Sequence, residues 1–127
     1  MMIRISMHKL IAFSIFATTL IGLSSCSQDD RPYEITVMVT VQDSIPVRNA
    51  LVRMFAPVEN TIVDEYASTN EFGEARFVFD NKVFLEVHAV KGSWRKCDGV
   101  EINRGPQTMM INLYPFRDPR RTCSQQQ

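Results

Sequence analysis

Histidine is the side chain best suited to acid–base chemistry near neutral pH, and this chain has two, His8 and His88. His88 lies in an alternating stretch with Glu86 and Val90, and we expect it on the outer face of a strand. The sequence has no Gly-x-Ser-x-Gly segment and no His-Glu pair of the kinds that accompany a hydrolytic nucleophile or a metal-bound water. We therefore predict no catalytic residue, no metal site and no enzymatic activity.

The N-terminal segment has the three parts of a secretory signal peptide. Basic residues open the chain, residues 10–23 form an uncharged and mostly apolar run, and small serines precede Cys26. A membrane-spanning helix needs about 20 apolar residues, which is more than this run supplies. We therefore predict a signal peptide over residues 1–25 in preference to a transmembrane helix.

Residues 23–26, with the sequence LSSC, resemble the lipobox of bacterial lipoproteins. The resemblance implies cleavage before Cys26 and acyl chains, palmitate among them, on its sulfur and its amine; several such chains anchor firmly, because each CH₂ contributes about 0.8 kcal/mol. Ser27 resembles an outer-membrane sorting signal. Asp29 and Asp30 resemble the export signal of surface lipoproteins in the Bacteroidetes group, although a solvated tether is an equally simple interpretation. The alternative to lipidation is an ordinary signal peptide with Cys26 in a disulfide.

Cys97 and Cys123 remain once Cys26 is lipidated. An even number of cysteines in an oxidising compartment favours a disulfide. It would close a loop of 27 residues, worth about 3.5 kcal/mol in the chain-entropy treatment, and fasten the tail to a strand over residues 94–102. Two free thiols are the alternative, and a metal site would need two further ligands.

Cationic side chains concentrate near the C terminus. Removal of residues 1–25 leaves 12 basic and 14 acidic residues, which argues against nucleic-acid binding, yet residues 91–127 hold seven basic and three acidic residues. Such a concentration suits an acidic partner, lipid head groups or an anionic glycan; a solvated edge that resists strand pairing is the alternative. The candidate binding patch consists of Trp94, Arg95, Lys96, Arg117, Arg120 and Arg121, and we expect Arg104 and Phe116 to lie close to it.

Alternation with a period of two dominates the mature chain and predicts seven short strands and no helix. Their expected ranges are 34–42, 47–55, 61–69, 75–79, 83–90, 94–102 and 109–114. Spacings of roughly 8–12 residues indicate an all-β fold, a Greek-key β-sandwich or a small barrel. The expected core residues are Val37, Val39, Val52, Phe77, Leu85, Val87, Ile111 and Leu113. The predicted organisation is a lipoprotein signal peptide at 1–25, a lipidated tether at 26–33, a β-sandwich at 34–114 and a tail at 115–127.

Two stretches of the sequence resemble carboxypeptidase regulatory-like domains. Residues 39–52 (VTVQDSIPVRNALV) match an alternating strand, a Pro-Val turn and a small residue, and residues 67–77 (ASTNEFGEARF) match a Thr-Asn-x-x-Gly-x-x-x-Phe hairpin. The resemblance implies a transthyretin-like (prealbumin-like) sandwich of seven strands and little about activity, since sandwiches host unrelated functions. One enzyme of that broader fold, hydroxyisourate hydrolase, ends in Tyr-Arg-Gly-Ser, whereas residues 114–117 here are YPFR.

These features favour an outer-membrane lipoprotein whose single non-enzymatic β-sandwich is an accessory, structural or binding subunit of a cell-envelope complex. The expected partners are the membrane, through lipid on Cys26, and an envelope protein, on either face of the outer membrane; no other cofactor is expected. A carbohydrate- or peptide-binding surface lipoprotein and a hydrolase with an unrecognised site are the alternatives. A row of exposed aromatic residues would favour glycan binding, and a contiguous apolar patch would favour a protein partner.

Overall fold

The computed structural model describes residues 26–59 and 62–123 and is all-β over that part of the chain. The predicted signal peptide at 1–25 lies outside the described residues. Nine strands are present there: β1 (Tyr33–Val41), β2 (Ile45–Pro46), β3 (Leu51–Phe55), β4 (Asp64–Ser68), β5 (Glu74–Phe79), β6 (Val83–Lys91), β7 (Trp94–Ile102), β8 (Gly105–Asn112) and β9 (Tyr114–Pro115). A short 3-10 turn at Pro119–Arg121 follows them.

The strands form two sheets in a sandwich-like arrangement. In sheet A, β1 is central, with β5 and β2 antiparallel along one edge and β8 parallel along the other. In sheet B, the strand order is β4-β3-β6-β7-β9 and every pair is antiparallel. The parallel pair places Tyr33 beside Gly105 and Thr40 beside Asn112.

The core lies between the inward faces of the two sheets. β1 contributes Ile35, Val37 and Val39, all fully buried, because alternate residues of a strand point to the same face. Burial of each large aliphatic side chain contributes about 1.5–3 kcal/mol. All eight residues predicted for the core are buried, and the most exposed of them, Phe77, is only 6% exposed. The predicted inward faces are therefore confirmed.

The strand count and several boundaries differ from the sequence-based prediction; the strand expected at 109–114, for example, is divided between β8 in sheet A and β9 in sheet B. The strand expected at 47–55 loses its first residues and becomes β3, because the left-handed φ of 55° at Asn49 interrupts the extended backbone. The two residues of β2, expected in a turn, pair with the end of β1 instead. β8 begins at Gly105, where the sequence predicts a turn, because the amide of Gly105 donates to the carbonyl of Pro32 (3.0 Å) and starts the parallel pairing.

The Thr-Asn-x-x-Gly segment has a structural role between the sheets. Thr69 is buried, accepts a hydrogen bond at Oγ1 from the amide of Ala50 (2.8 Å) and donates to the carbonyl of Val47 (2.5 Å). Gly73 has a φ of 76°, and its carbonyl accepts from the amide of Val39 in β1 (2.7 Å). A Cβ at Gly73 would lie 2.6 Å from the carbonyl oxygen of Val39, so glycine is required for this approach.

Candidate functional site

The C-terminal tail lies against β7, where a disulfide between Cys97 and Cys123 fixes it. The two Cα atoms are 4.7 Å apart. Thr122 donates from Oγ1 to the carbonyl of Cys97 (2.8 Å), and Lys96 donates from Nζ to the carbonyl of Arg120 (2.8 Å). The disulfide that the sequence favours, and the return of the tail to the strand at 94–102, are therefore confirmed.

The 3-10 turn of the tail begins at an aspartate cap. Asp118 accepts from the amide of Arg120 at Oδ1 (2.9 Å) and pairs through Oδ2 with the guanidinium of the same residue (2.7 Å). The hydrogen bond from Arg120 lowers the pKa of the Asp118 carboxyl, and the carboxylate in turn raises the pKa of Arg120. Sequence analysis placed Arg120 in the candidate binding patch and gave Asp118 no role. The missed signal is an aspartate before proline, a typical start of a helical turn.

Aromatic side chains organise the cations at this end of the molecule. The guanidinium groups of Arg95 and Arg121 lie 5.1 Å and 4.4 Å from the ring centre of Phe116. Arg120 lies 4.5 Å from the ring centre of Tyr114. Attraction between a cation and an aromatic ring is worth about 0.5–1 kcal/mol at exposed sites. We call this region the cation–aromatic end; it comprises Lys91, Trp94, Arg95, Lys96, Tyr114, Phe116, Arg117, Arg120 and Arg121.

The structure brings the six residues of the predicted patch to this end. The expectation for Arg104 is wrong, because it lies in the turn between β7 and β8 and donates to the carbonyl of Asp29 in the tether. Pairing of β7 with β9 places Trp94 beside Pro115 and Arg95 beside Tyr114, while the disulfide holds the tail arginines over the same strand. Lys91 and Tyr114 complete the cluster. Sequence analysis did not include them, because Lys91 is placed by the β6–β7 hairpin and Tyr114 by the β7–β9 pairing. The binding role of the patch stays a prediction.

Several cations of the cation–aromatic end have no carboxylate partner. In the described part of the chain, no carboxylate oxygen lies within 4.0 Å of the charged group of Arg95, Lys96, Arg117 or Arg121, although five other cations form ion pairs with aspartate or glutamate. The buried Nε of Arg95 also has no hydrogen-bond acceptor among those residues. A buried donor without an acceptor costs about 1–3 kcal/mol. The end therefore carries unneutralised positive charge, which suits an anionic ligand.

An open groove of about 310 Å³ lies beside Lys91 and Trp94 at this end of the sandwich. Val41, Val47 and Leu113 form its apolar wall, and Lys91 and Trp94 stand beside them. Trp94 is 38% exposed. An apolar wall next to a lysine suits a ligand that carries both an apolar group and a negative charge.

His88 is half-buried on the outer face of sheet B, as the sequence predicts. Its ring packs edge-on against Phe55, with the ring centres 4.8 Å apart, and its Nε2 lies 3.4 Å from a carboxylate oxygen of Glu86. Arg53 lies 4.3 Å from the centre of the same Phe55 ring. The neighbour of His88 across the β6–β7 pair is Cys97, whose sulfur is engaged in the disulfide and is no nucleophile. These are the contacts of a packing residue.

The cation–aromatic end lies opposite the tether. β7 runs from Trp94 to Ile102 over nine residues, a length of about 26 Å. The tether enters β1 at the Ile102 end, because Tyr33 pairs with Gly105, three residues after β7. Cys26, at the start of the described residues, is exposed and its thiol is free.

Two further findings concern membranes and metals. No helix within residues 26–59 and 62–123 has the length and apolar character to cross a membrane. Over the same residues, no three histidine, cysteine, aspartate or glutamate side chains are grouped so as to hold a metal ion.

Comparison with known proteins finds similarity in structure but none in sequence. The sequence matches no protein-family profile and no curated protein sequence. The Bacillus anthracis TIE protein is similar in structure, with a TM-score of 0.53, 12% identity and coverage of 67% of this chain and 17% of that one. A DUF3823 family protein from Parabacteroides merdae has a TM-score of 0.55 and 10% identity, with coverage of 68% and 48%. This chain therefore matches less than half the length of each, and at these identities the likeness shows a shared fold.

Proposed function

We propose that this chain is an outer-membrane lipoprotein, anchored through acylated Cys26, whose non-enzymatic β-sandwich is a binding or structural subunit of a cell-envelope complex. The observation that carries the proposal is the cation–aromatic end, which lies about 26 Å from the tether along β7. Like charges repel, so cations without carboxylate partners are unfavourable for the isolated domain. An anionic partner that binds there offsets that repulsion.

Asp29 and Asp30, close after Cys26, support a Bacteroidetes-type source for the chain, because they resemble the export signal of surface lipoproteins in that group. The finer assignment, a carboxypeptidase regulatory-like domain of the transthyretin-like Greek-key class, is supported by the place of Thr69 and Gly73 between the sheets. Ser27 after the lipidated cysteine supports outer-membrane sorting, with the domain on the cell surface or on the periplasmic face.

An acidic envelope protein is the partner that we favour. Exposed aromatic residues are spread over separate elements, with Tyr66 on β4, Phe84 on β6 and Phe72 in the turn before β5, and this spread disfavours an extended glycan platform. The groove beside Trp94 supports a second candidate, a surface lipoprotein that binds a short peptide or a single sugar. Both versions are non-enzymatic.

Lipidation is tested by the intact mass of the native protein. We expect a mature chain that begins at Cys26 and carries acyl chains, because cleavage and acylation occur at that residue in lipoproteins. Cys26→Ala should remove the acyl mass and leave the protein soluble or uncleaved. A mature form that begins at any other residue overturns the anchor.

Partner binding is tested by affinity capture of the native lipoprotein from detergent-solubilised membranes, with the captured proteins identified by mass spectrometry. Arg95→Ala together with Arg121→Ala should lower the capture of an acidic partner, and added salt should lower it further, because salt screens exposed charges. Arg76→Ala is the matched control, since Arg76 pairs with Glu34 on sheet A. Capture that is equal for the double variant and the wild type overturns a binding role for the cation–aromatic end.

A further inference from the structure

Arg104, in the turn between β7 and β8, holds the tether by its backbone. Its Nη1 donates to the carbonyl of Asp29 (2.6 Å) and to the carbonyl of Arg31 (3.3 Å). Its guanidinium also lies 4.9 Å from the ring centre of Tyr33, the first residue of β1. One side chain therefore contacts the chain at three positions between the lipidation site and the sandwich.

A second set of contacts reinforces this hold. Gly105 has a φ of 85°, and its amide donates to the carbonyl of Pro32 (3.0 Å). A Cβ at Gly105 would lie 2.9 Å from Nη1 of Arg31, so the absence of a side chain leaves room for the guanidinium. Asp29 then accepts from Nε (2.8 Å) and Nη2 (2.7 Å) of Arg31. Residues 29–32 are therefore folded onto the end of the sandwich.

The free part of the tether is short. Only Ser27 and Gln28 separate Cys26 from Asp29, and three residue steps span at most about 10 Å. The head-group layer on one side of a bilayer is about 5–8 Å thick. Lipid on Cys26 would therefore bring the end of the sandwich that carries Arg104 to the head groups. Without the clamp, the seven residues before Tyr33 would form a leash with a root-mean-square length of about 15 Å.

We infer that the end of the sandwich around Arg104 is a membrane-contact surface, which rests on the lipid head groups and turns the cation–aromatic end away from the bilayer. The inference rests on the proposed lipidation of Cys26. It adds an orientation: the partner of the cation–aromatic end approaches from the side away from the membrane, and the bilayer that carries the anchor is not itself the ligand of that end.

The single tryptophan of the chain, Trp94, lies at the far end and reports this orientation. The mature chain, with the Cys97–Cys123 disulfide intact, is coupled through the Cys26 thiol to a maleimide lipid in phosphatidylcholine vesicles that contain a dansyl head-group acceptor. Energy transfer from Trp94 should be weak in the wild type. Arg104→Ala should raise it by about twofold or more, because a free leash lets Trp94 approach the bilayer.

Lys82→Ala is the matched control. Lys82 precedes β6 at the same end of the sandwich and pairs with Glu101, so its loss removes a positive charge there without touching the tether, and transfer should equal that of the wild type. Arg31→Ala, which leaves the β7–β8 turn unchanged, should also raise transfer and guards against a folding defect specific to Arg104→Ala. Equal transfer in the wild type, Arg104→Ala and Arg31→Ala overturns the clamp.

The result is separable from the test of the proposed function. The maleimide supplies the lipid chemically, so the transfer measurement does not depend on acylation in the cell. A native mass without acyl chains overturns the anchor alone, whereas equal transfer among the variants overturns the orientation alone.

Discussion

Phe77 is the largest side chain that the sequence predicts for the core, and its ring stacks on that of Phe79 with the ring centres 6.4 Å apart. We expect Phe77→Ala to lower the free energy of unfolding by about 3–5 kcal/mol, because a buried aromatic side chain leaves a cavity that the surrounding core only partly fills. Urea unfolding followed by circular dichroism measures the loss. A loss below about 1 kcal/mol would place Phe77 on the solvent face and contradict the register of β5.

Asp29 gives the tether a measurable titration. The hydrogen bonds from the Arg31 side chain lower its pKa from 3.8 to about 2. Because the folded pKa is depressed, the contact is fully present above pH 3.8 and is lost as the pH falls towards about 2. Carbon NMR shifts of the carboxyl group, followed against pH, should show the low pKa in the wild type and a rise towards 3.8 in Arg31→Gln. A wild-type carboxyl that already titrates at 3.8 would mean that the pair does not form in solution.

At the scale of the element, the tail depends on one covalent link to β7. Cys123→Ser should lower the free energy of unfolding by about 3.5 kcal/mol, because the unfolded chain regains the entropy of a closed loop. Cys26→Ser, which removes a thiol outside the bridge, is the control and should change nothing. Denaturant unfolding of the two variants, each expressed without residues 1–25 so that Cys26 is not acylated, measures the difference, and non-reducing peptide mapping checks the bridge. Two alkylatable thiols besides Cys26 in the folded wild type would refute it.

The inward faces of the strands were predictable because strand periodicity is local. Val37 and Val39 share one face of the strand with other aliphatic residues, whereas Thr36 and Thr40 lie on the opposite face, and that pattern indicates which face is buried. The bridge between Cys97 and Cys123 was predictable from the count of cysteines. Because the bridge places the tail beside β7, it also predicted where the arginines of the tail lie. The cations of the binding patch could therefore be grouped from sequence even though more than 20 residues separate Lys96 from the tail.

Features that depend on distant parts of the chain were not predictable in the same way. The start of β8 at Gly105 is set by β1, whose sequence says nothing about a parallel neighbour. Phe55 occupies an outward position and is nevertheless buried, because Arg53 and His88 cover it. Arg104 holds the tether through backbone carbonyls. Every residue has such a carbonyl, so the residue types of the tether do not indicate this contact.

At the scale of the whole molecule, the cations of the described residues that have no carboxylate partner are concentrated at the cation–aromatic end. The predicted mature chain has a formal charge of −2, since 12 basic and 14 acidic residues follow residue 25. We nevertheless expect it to bind a cation-exchange resin at pH 7, because the unpaired cations lie together and act as one patch. Arg95→Ala should elute at lower salt than Arg76→Ala, although each variant loses one charge. Equal elution of the two variants would contradict a localised positive surface.

The pairing of β1 with β8 has a consequence for the order in which the chain folds. β1 is the first strand to be synthesised, and β8 begins 72 residues after the first residue of β1. Until β8 arrives, one edge of β1 is open, and open edges with apolar side chains pair readily with other chains. Sheet A therefore closes only when almost the whole chain has been made, and a nascent chain that stops before Gly105 leaves one edge of β1, the strand that carries Ile35, Val37 and Val39, without a partner. The fold is completed late, by its last long strand.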